Sequence, residues 1–234
     1  MLNLLEGLSK DLGFPISKDM LKRFLKRLGY TFRRIRRVLK KTPDPIIYNK
    51  KLDELIQFIR LEKTNFLKMY FVDESGFNET PCIPYGWQEK GVNLGIPTQK
   101  GKRCNVFGIM SSDNELYATM SEKSINAAFA ISAIDAFADC PKRAPRAILV
   151  LDNAKIHHAE TFKDKIPEWQ AKGVEIFYLP TYSPHLNRIE TLWRKCKYEW
   201  LLPQDYQSWN HLKDKINHII NNFGTEFTIK FNPF

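Results

Sequence analysis

The chain has 234 residues, 43% of them hydrophobic, and a formal net charge of +10. That length and apolar content can bury one hydrophobic core with a small appendage, and they exclude a disordered or fibrous chain. No stretch approaches the roughly 18 consecutive apolar residues of a membrane span. The N-terminus also lacks the basic start and small-residue cleavage site of a signal peptide. We therefore expect a cytoplasmic protein without a membrane partner.

The positive charge is concentrated in one short segment. Residues 18–41 contain eleven Lys or Arg and one acid, whereas the rest of the chain has 25 basic and 25 acidic residues. A solvated helix face normally intersperses acids among its bases, and a surface this asymmetric attracts a polyanion. We expect DNA as the partner of this segment.

The cysteines predict neither a metal site nor a disulfide scaffold. Cys82, Cys104, Cys140 and Cys196 lie far apart and form no C-x-x-C pair. In zinc sites and disulfide frameworks the cysteines typically lie closer together in the sequence and occur in pairs. We expect reduced thiols, in keeping with a cytoplasmic protein.

Two short helices are predicted near the N-terminus. The first covers about residues 3–12, and the second begins after a Ser17 cap and ends at Gly29. Five apolar residues between positions 20 and 28 recur at helical spacing and would pack on the first helix. This order is typical of a helix-turn-helix, although a generic amphipathic hairpin fits the same pattern. The predicted DNA contacts are Lys18, Lys22, Arg23, Lys26 and Arg27 on the second helix, then Arg33, Arg34, Arg36 and Arg37 in a basic arm.

A proline-rich boundary at residues 42–45 separates this module from the rest, because proline interrupts helices. We predict a helix-turn-helix and basic arm in residues 1–45, a linker helix in 46–66 and an α/β domain in 67–234. The α/β domain has predicted strands at 67–72, 105–111, 115–121, 146–151 and 174–179, and predicted helices at 124–138, 159–172, 186–201 and 206–223. An irregular hairpin over 78–101 contains Trp87, which could stack on a base or lie in the core. Periodicity alone specifies only the α/β class.

Three acidic positions carry the candidate chemistry. Asp73 and Asp152 each follow an apolar run of strand length, and Glu190 lies on a predicted helix. Carboxylates at such places cost free energy unless a cation or several donors face them, so three that converge predict a hard-metal site. Each acid also has a local interpretation: Asp152 as a helix cap, Asp73 as a turn residue, and Glu190 as a partner of Arg194.

In their order and separation, the segments around these acids resemble the motifs of DDE transposases of bacterial insertion sequences in the mariner superfamily. The matching segments are residues 72–77 (VDESGF), 151–157 (LDNAKIH) and 179–190 (LPTYSPHLNRIE). Two positions differ, since the family usually has Asp where His185 stands and Pro where Arg188 stands. The resemblance implies a ribonuclease-H-like catalytic domain, with a mixed sheet flanked by helices, preceded by a small helix-turn-helix module.

The same resemblance implies a transposase that cuts DNA at transposon ends and transfers the freed 3′ ends into target DNA. Asp73, Asp152 and Glu190 would be the catalytic residues and the ligands of Mg²⁺ or Mn²⁺, with Asp73 bridging two ions. Such a pair, about 4 Å apart, neutralises charge on the attacking and leaving oxygens. Asn153, His157 and Asn187 would support the site, although His157 could equally be a locally bonded histidine. Because two ends must be held, we expect a homodimer or larger assembly on double-stranded DNA of the bacterial nucleoid.

Two other functions stay open. One is a catalytically impaired DNA-binding remnant or regulator, which His185 and Arg188 favour, and the other is a ribonuclease-H-like nuclease without strand transfer. Relatives usually carry two helix-turn-helix units, and the residues before Pro43 hold only one. We therefore expect an upstream reading frame to encode the other unit.

Overall fold

The computed structural model describes residues 2–30, 44–80 and 101–231. The chain forms two compact units, Met1–Lys40 and Lys41–Phe234. The predicted basic arm, with Arg33, Arg34, Arg36 and Arg37, lies outside the described residues, as does Trp87 of the predicted hairpin. Within the described ranges, no helix is long and apolar enough to cross a membrane.

The first unit contains helices α1 (Leu2–Leu12) and α2 (Lys18–Arg27), close to their predicted positions. Ser17 caps α2 as predicted, because its hydroxyl oxygen accepts a hydrogen bond from the backbone N–H of Met20 at 3.2 Å. Gly29 follows at a φ of 80°, a left-handed conformation that glycine adopts without steric cost. Local sequence signals therefore determine where α2 begins and ends.

The predicted packing of the apolar residues of α2 is largely wrong. Leu21 is buried, whereas Met20, Phe24, Leu25 and Leu28 are 43%, 59%, 37% and 56% exposed. Apolar residues at this spacing extend over the whole helix, and the described part of the unit offers only the short α1 to cover them. The helix-turn-helix assignment stays a prediction.

The second unit begins with helix α3 (Pro45–Lys63), which starts one residue before the predicted linker helix of residues 46–66. Pro45 occupies the first turn of the helix. Backbone N–H groups in that turn have no intrahelical acceptor, so the helix loses no hydrogen bond through the missing N–H of proline. Asp44 caps the helix by accepting hydrogen bonds from the backbone N–H groups of Ile46 and Ile47, at 2.8 and 3.3 Å. Leu55 and Ile59 of α3 are buried in the core of this unit, so the helix is part of the packed domain.

A five-stranded mixed sheet forms the centre of the second unit. Its order is β3-β2-β1-β4-β5, with antiparallel pairing among the first three strands and parallel pairing from β1 to β4 to β5. The predicted order, three strands followed by alternating helices and strands, is therefore confirmed. The strands are β1 (Lys68–Asn78), β2 (Arg103–Ser111), β3 (Leu116–Ser121), β4 (Ala147–Leu151) and β5 (Val174–Tyr178).

Hydrophobic clusters cover both faces of this sheet. Along β1, Met69 and Phe71 belong to one cluster, whereas Tyr70 and Val72 belong to the other, because successive side chains of a strand alternate between faces. Helices α4 (Ala127–Ala138) and α5 (Glu160–Ala171) cover the second face. Helices α3, α6 (Ile189–Lys195) and α7 (Trp209–Asn221) cover the first. The predicted ribonuclease-H-like fold, a mixed sheet flanked by helices, is confirmed.

The predicted helix over 186–201 is divided in the structure. A 3-10 turn at Pro184–Leu186 precedes α6, and a π-helical turn at Cys196–Trp200 follows it. Between the first turn and α6, Asn187 has an extended backbone with φ −89° and ψ 103°. The side chain of Asn187 is bonded to strand β1, and this tertiary contact outweighs local helix propensity. The helix predicted over 206–223 is likewise shorter, because Ser208 caps α7.

Candidate active site

Parallel pairing of β1 and β4 brings the two aspartates to the same part of the sheet. The paired residues, from Lys68 with Ala147 to Phe71 with Val150, differ in number by 79. Continuing that register by two residues places Asp73 beside Asp152. By strand alternation Asp73 shares the face of Phe71, the face that α6 covers. Glu190 lies in the first turn of α6, so strand register and helix packing bring the three predicted acids together.

Asp73 is the acid with the most strongly perturbed pKa. Burial raises its pKa from 3.8 to about 7, and the negative charges of Glu190 and Asp152 contribute in the same direction. A hydrogen bond from Trp193 acts in the other direction and lowers the pKa, because the indole N–H donates to Oδ2 of Asp73 at 3.1 Å. A carboxyl held in such surroundings is costly to ionise unless a cation compensates.

Asp152 lies in a different electrostatic environment. Its Oδ1 accepts a hydrogen bond from the backbone N–H of Ala154 at 2.9 Å and lies 3.2 Å from Nδ1 of His157. Both described neighbours of that nitrogen, the carboxylate and the backbone oxygen of Asp152, are acceptors, so Nδ1 carries the proton and donates. The hydrogen bond from His157 is the main reason that the pKa of Asp152 is lowered. Asp152 is thus held as an exposed, ionised carboxylate.

Glu190 is also partly removed from water. Burial raises the pKa of its carboxyl, Lys197 opposes that change, and the charge of Asp152 adds to it. The pKa values of Asp73 and Glu190 are therefore both raised, whereas the pKa of Asp152 is lowered. Carboxyl groups with such opposed pKa shifts in one region are typical of functional sites.

The three predicted supporting residues connect the loops that carry the acids. The Asn153 side-chain amide donates to the backbone carbonyl of Leu179, which ties the end of β4 to the end of β5. His157 is buried, and its Nε2 has no hydrogen-bond partner among the described residues. The Asn187 side chain donates to the backbone carbonyl of Val72 at 3.0 Å. Each residue holds a loop or a carboxylate of the site in place.

The donor chemistry fits a divalent cation. Carboxylate oxygens are the ligands that Mg²⁺ and Mn²⁺ prefer, and the mutual repulsion of Asp73 and Glu190 is what such a cation would relieve. Within residues 2–30, 44–80 and 101–231, no three His, Cys, Asp or Glu side chains are grouped closely enough to hold a metal ion as they stand.

Both residues that differ from the family pattern make contacts within the fold. Nε2 of His185 lies 3.1 Å from the hydroxyl of Tyr48 on α3. The Arg188 guanidinium donates to the hydroxyl of Ser112 at 2.9 Å and lies 5.4 Å from the ring centroid of Phe231. The structure accommodates the two residues as links between the loop before α6 and neighbouring elements.

Trp193, which lies outside the three sequence motifs, also contacts the site. Its side chain is 3% exposed, and its one polar atom is bonded to Asp73. A possible signal is the spacing of Asn187, Glu190 and Trp193, which lie three residues apart. That spacing alone does not distinguish a core tryptophan from one that contacts the site.

The predicted DNA contacts of α2 lie in the first unit. All five of the predicted cationic residues of this helix are exposed, and the amine of Lys22 lies 4.0 Å from Asp19. They are Lys18, Lys22, Arg23, Lys26 and Arg27.

A separate cleft of about 620 Å³ opens at the other end of the sheet, beside Lys68, Asp113 and Arg146. Lys68 begins β1 and Arg146 directly precedes β4. Asp73 lies further along β1, and Asp152 directly follows β4. The cleft is therefore distinct from the acid site.

Most of the second unit matches a known protein family. Residues 68–213 match the family described as DDE superfamily endonuclease. Because the match covers more than half of the chain and includes all three acids, the chain belongs to this family. One sequence relative is the insertion element IS630 uncharacterized 39 kDa protein of Shigella sonnei, 24% identical over 127 residues. The match covers 54% of this chain and 36% of that relative, so the chain spans about a third of its length.

Solved structures of similar fold include the mariner Mos1 paired end complex with Mg, with a TM-score of 0.61 and 17% identity. That similarity covers 92% of this chain and 66% of the Mos1 chain. The catalytic domain of Mos1 mariner transposase has a TM-score of 0.52 at 16% identity, with 79% of this chain and 85% of that chain covered. At these identities the similarity establishes a common fold.

Proposed function

We propose that this chain is a transposase that cleaves DNA at the ends of its insertion element and joins those ends to target DNA. The observation that carries the proposal is the placement of Asp73, Asp152 and Glu190, one from each family motif, in one region of the sheet. Burial, together with the negative charges of Glu190 and Asp152, raises the pKa of Asp73 to about 7. Membership of the DDE superfamily endonucleases supports cleavage, and the insertion-element relative supports transposition.

In the proposed reaction, water attacks a phosphodiester at the element end and the 3′-hydroxyl of the end leaves. That hydroxyl then attacks a phosphodiester of target DNA, and the target's own 3′-hydroxyl leaves in turn. Asp73, Asp152 and Glu190 would hold Mg²⁺ or Mn²⁺, which we propose as two ions. When bound, they neutralise charge that develops on the attacking and leaving oxygens. Crystal structures of the Mos1 paired end complex with Mg and with Mn support this choice of metals.

Residues of the chain itself hold the carboxylates in place. His157 donates to Asp152 and keeps that carboxylate charged, which suits a metal ligand. The indole N–H of Trp193 donates a hydrogen bond to one oxygen of Asp73 and adds no positive charge. The site therefore keeps its negative charge for a cation while its side chains stay oriented.

We propose double-stranded DNA as the partner, bound through residues 1–45 as a helix-turn-helix with its basic arm. Residues 46–66 would connect it to the catalytic domain, residues 67–234. The exposed cations of α2 support the DNA contact. Two element ends must be joined in one event, so we propose at least a homodimer on bacterial DNA.

The test is an assay on labelled duplexes that carry the DNA flanking the gene, pre-cut at the 3′ end and incubated with Mg²⁺ and a target plasmid. We expect joined product from the wild type and none from Asp73→Asn, Asp152→Asn or Glu190→Gln. Asp164→Asn, an exposed carboxylate on α5, is the matched control and should retain activity. Joined product from any of the three acid variants would remove that residue from the site.

The departure of His185 and Arg188 from the family pattern favours one second candidate, a DNA-binding regulator. That protein would bind the same duplex and give no product with either metal. Cleavage of uncut ends without any joined product would instead indicate a nuclease without strand transfer.

A further inference from the structure

Two buried donors on either side of Glu190 bind consecutive residues of β1. The Asn187 amide donates to the backbone carbonyl of Val72 at 3.0 Å, and the Trp193 indole donates to Oδ2 of Asp73 at 3.1 Å. Asn187 is 4% exposed and Trp193 is 3% exposed, so neither bond competes with bulk water. The segment that carries the third acid is therefore joined to the strand that carries the first at two points.

The backbone of β2 allows this close approach. Gly108 pairs with Asp73 across the antiparallel ladder. A Cβ atom at position 108 would lie 2.9 Å from Cη2 of Trp193 and 3.0 Å from Cδ1 of Ile189, both shorter than ordinary van der Waals contacts. The missing side chain lets α6 lie directly on the strands beside Asp73.

Packing also determines the direction of the indole. The ring of Phe77 meets the ring of Trp193 edge to face, with centroids 6.3 Å apart. A tryptophan N–H can only donate, and a buried one needs an acceptor. Oδ2 of Asp73 is that acceptor. The carboxylate is therefore oriented by a donor whose ring is held in place by packing.

A neutral donor suits this place better than a cation would. An Arg or Lys beside Asp73 would offset the negative charge that a metal ion requires. The indole N–H orients one oxygen, leaves the net charge of the carboxylate unchanged and leaves Oδ1 to other partners. Outer-shell donors to a ligating group commonly act in this way on the affinity for metal.

We infer that Trp193 and Asn187 are positioning residues that set the Asp73 carboxylate and the Glu190 helix for joint binding of a divalent cation. This inference rests on the proposed function, since it concerns the same acids. It adds Trp193 to the site and gives Asn187 a specific role, and both residues would act through Asp73 and the strand that carries it, without touching DNA or metal.

The test uses Trp193→Phe, which keeps most of the ring packing and removes the N–H. The matched control is Trp169→Phe, since the indole of Trp169 donates to Oδ1 of Asp135 at 2.7 Å on the other face of the sheet. The readout is Mn²⁺ binding to the full chain without DNA, measured by electron paramagnetic resonance, together with thermal unfolding. We expect Trp193→Phe to weaken Mn²⁺ binding by about tenfold, and Trp169→Phe to leave it unchanged.

Asn187→Ala is the second variant and should weaken Mn²⁺ binding several-fold by releasing the Glu190 segment. It decides the question if Trp193→Phe does not fold. In the joining assay, excess Mn²⁺ should restore the rate of both variants, whereas the KM for DNA should match the wild type.

The outcomes separate the two proposals. Equal Mn²⁺ binding by wild type and Asp73→Asn would refute the metal site itself, and with it the proposed function. If Asp73→Asn binds weakly while the folded Trp193 and Asn187 variants bind like the wild type, the metal site stands and the positioning role is overturned.

Discussion

Ionised Asp73 should destabilise the folded protein when no metal is present. Its folded pKa of about 7 lies above the ordinary value of 3.8, so the folded chain holds this proton to a higher pH than the unfolded chain does. The free energy of unfolding therefore falls as the pH rises through this interval and changes little above it. A difference of about 3 pKa units corresponds to about 4 kcal/mol at pH 8, and to roughly 2 kcal/mol at pH 5.

Asp73→Asn removes this titration and keeps an oxygen that can accept from Trp193. Local relaxation reduces the effect, and we expect about half of the full value: a gain of about 2 kcal/mol at pH 8 and about 1 kcal/mol at pH 5. For a chain of this size the larger gain raises Tm by roughly 4–8 °C.

The assay is thermal unfolding in a chelator at both pH values, with Asp164→Asn as the exposed control that should shift Tm little. Added Mn²⁺ should then stabilise the wild type more than Asp73→Asn. A variant no more stable than the wild type at pH 8, or equally stabilised at both pH values, would show that burial does not disfavour this charge.

Three further predictions concern packing, capping and DNA. Gly108→Ala should cost about 1–3 kcal/mol and weaken Mn²⁺ binding, because the new Cβ displaces Trp193 and Ile189; unchanged unfolding would contradict the close approach of α6. Asp44→Ala should lower the free energy of unfolding by about 1 kcal/mol through loss of the α3 cap, whereas exposed Asp53→Ala on the same helix should not. Replacing Lys22 and Arg23 with Ala should weaken binding to all duplexes and reduce the log–log salt slope by about 0.9 per lost phosphate contact. A slope equal to that of the wild type would place the DNA path away from α2.

Local signals in the sequence determined much of the fold. The Ser17 cap and the apolar run of β1 are readable because both signals depend on residues a few positions apart. Two of the candidate acids were readable for a related reason: Asp73 and Asp152 lie within or just after apolar strands, and the register of parallel strands then places them side by side.

Tertiary packing decided what local pattern could not. The exposure of Phe24 and Leu28 depends on how much surface lies near α2, which periodicity does not specify. The helix predicted over 186–201 is interrupted because Asn187 finds its partner in Val72, 115 positions earlier in the chain. The Trp193 contact with Asp73 likewise spans 120 positions and needs Gly108, on a third element, to leave room for it. Such contacts depend on how strands and helices pack, so the sequence indicated the candidate acids and the tertiary structure determined which side chains contact them.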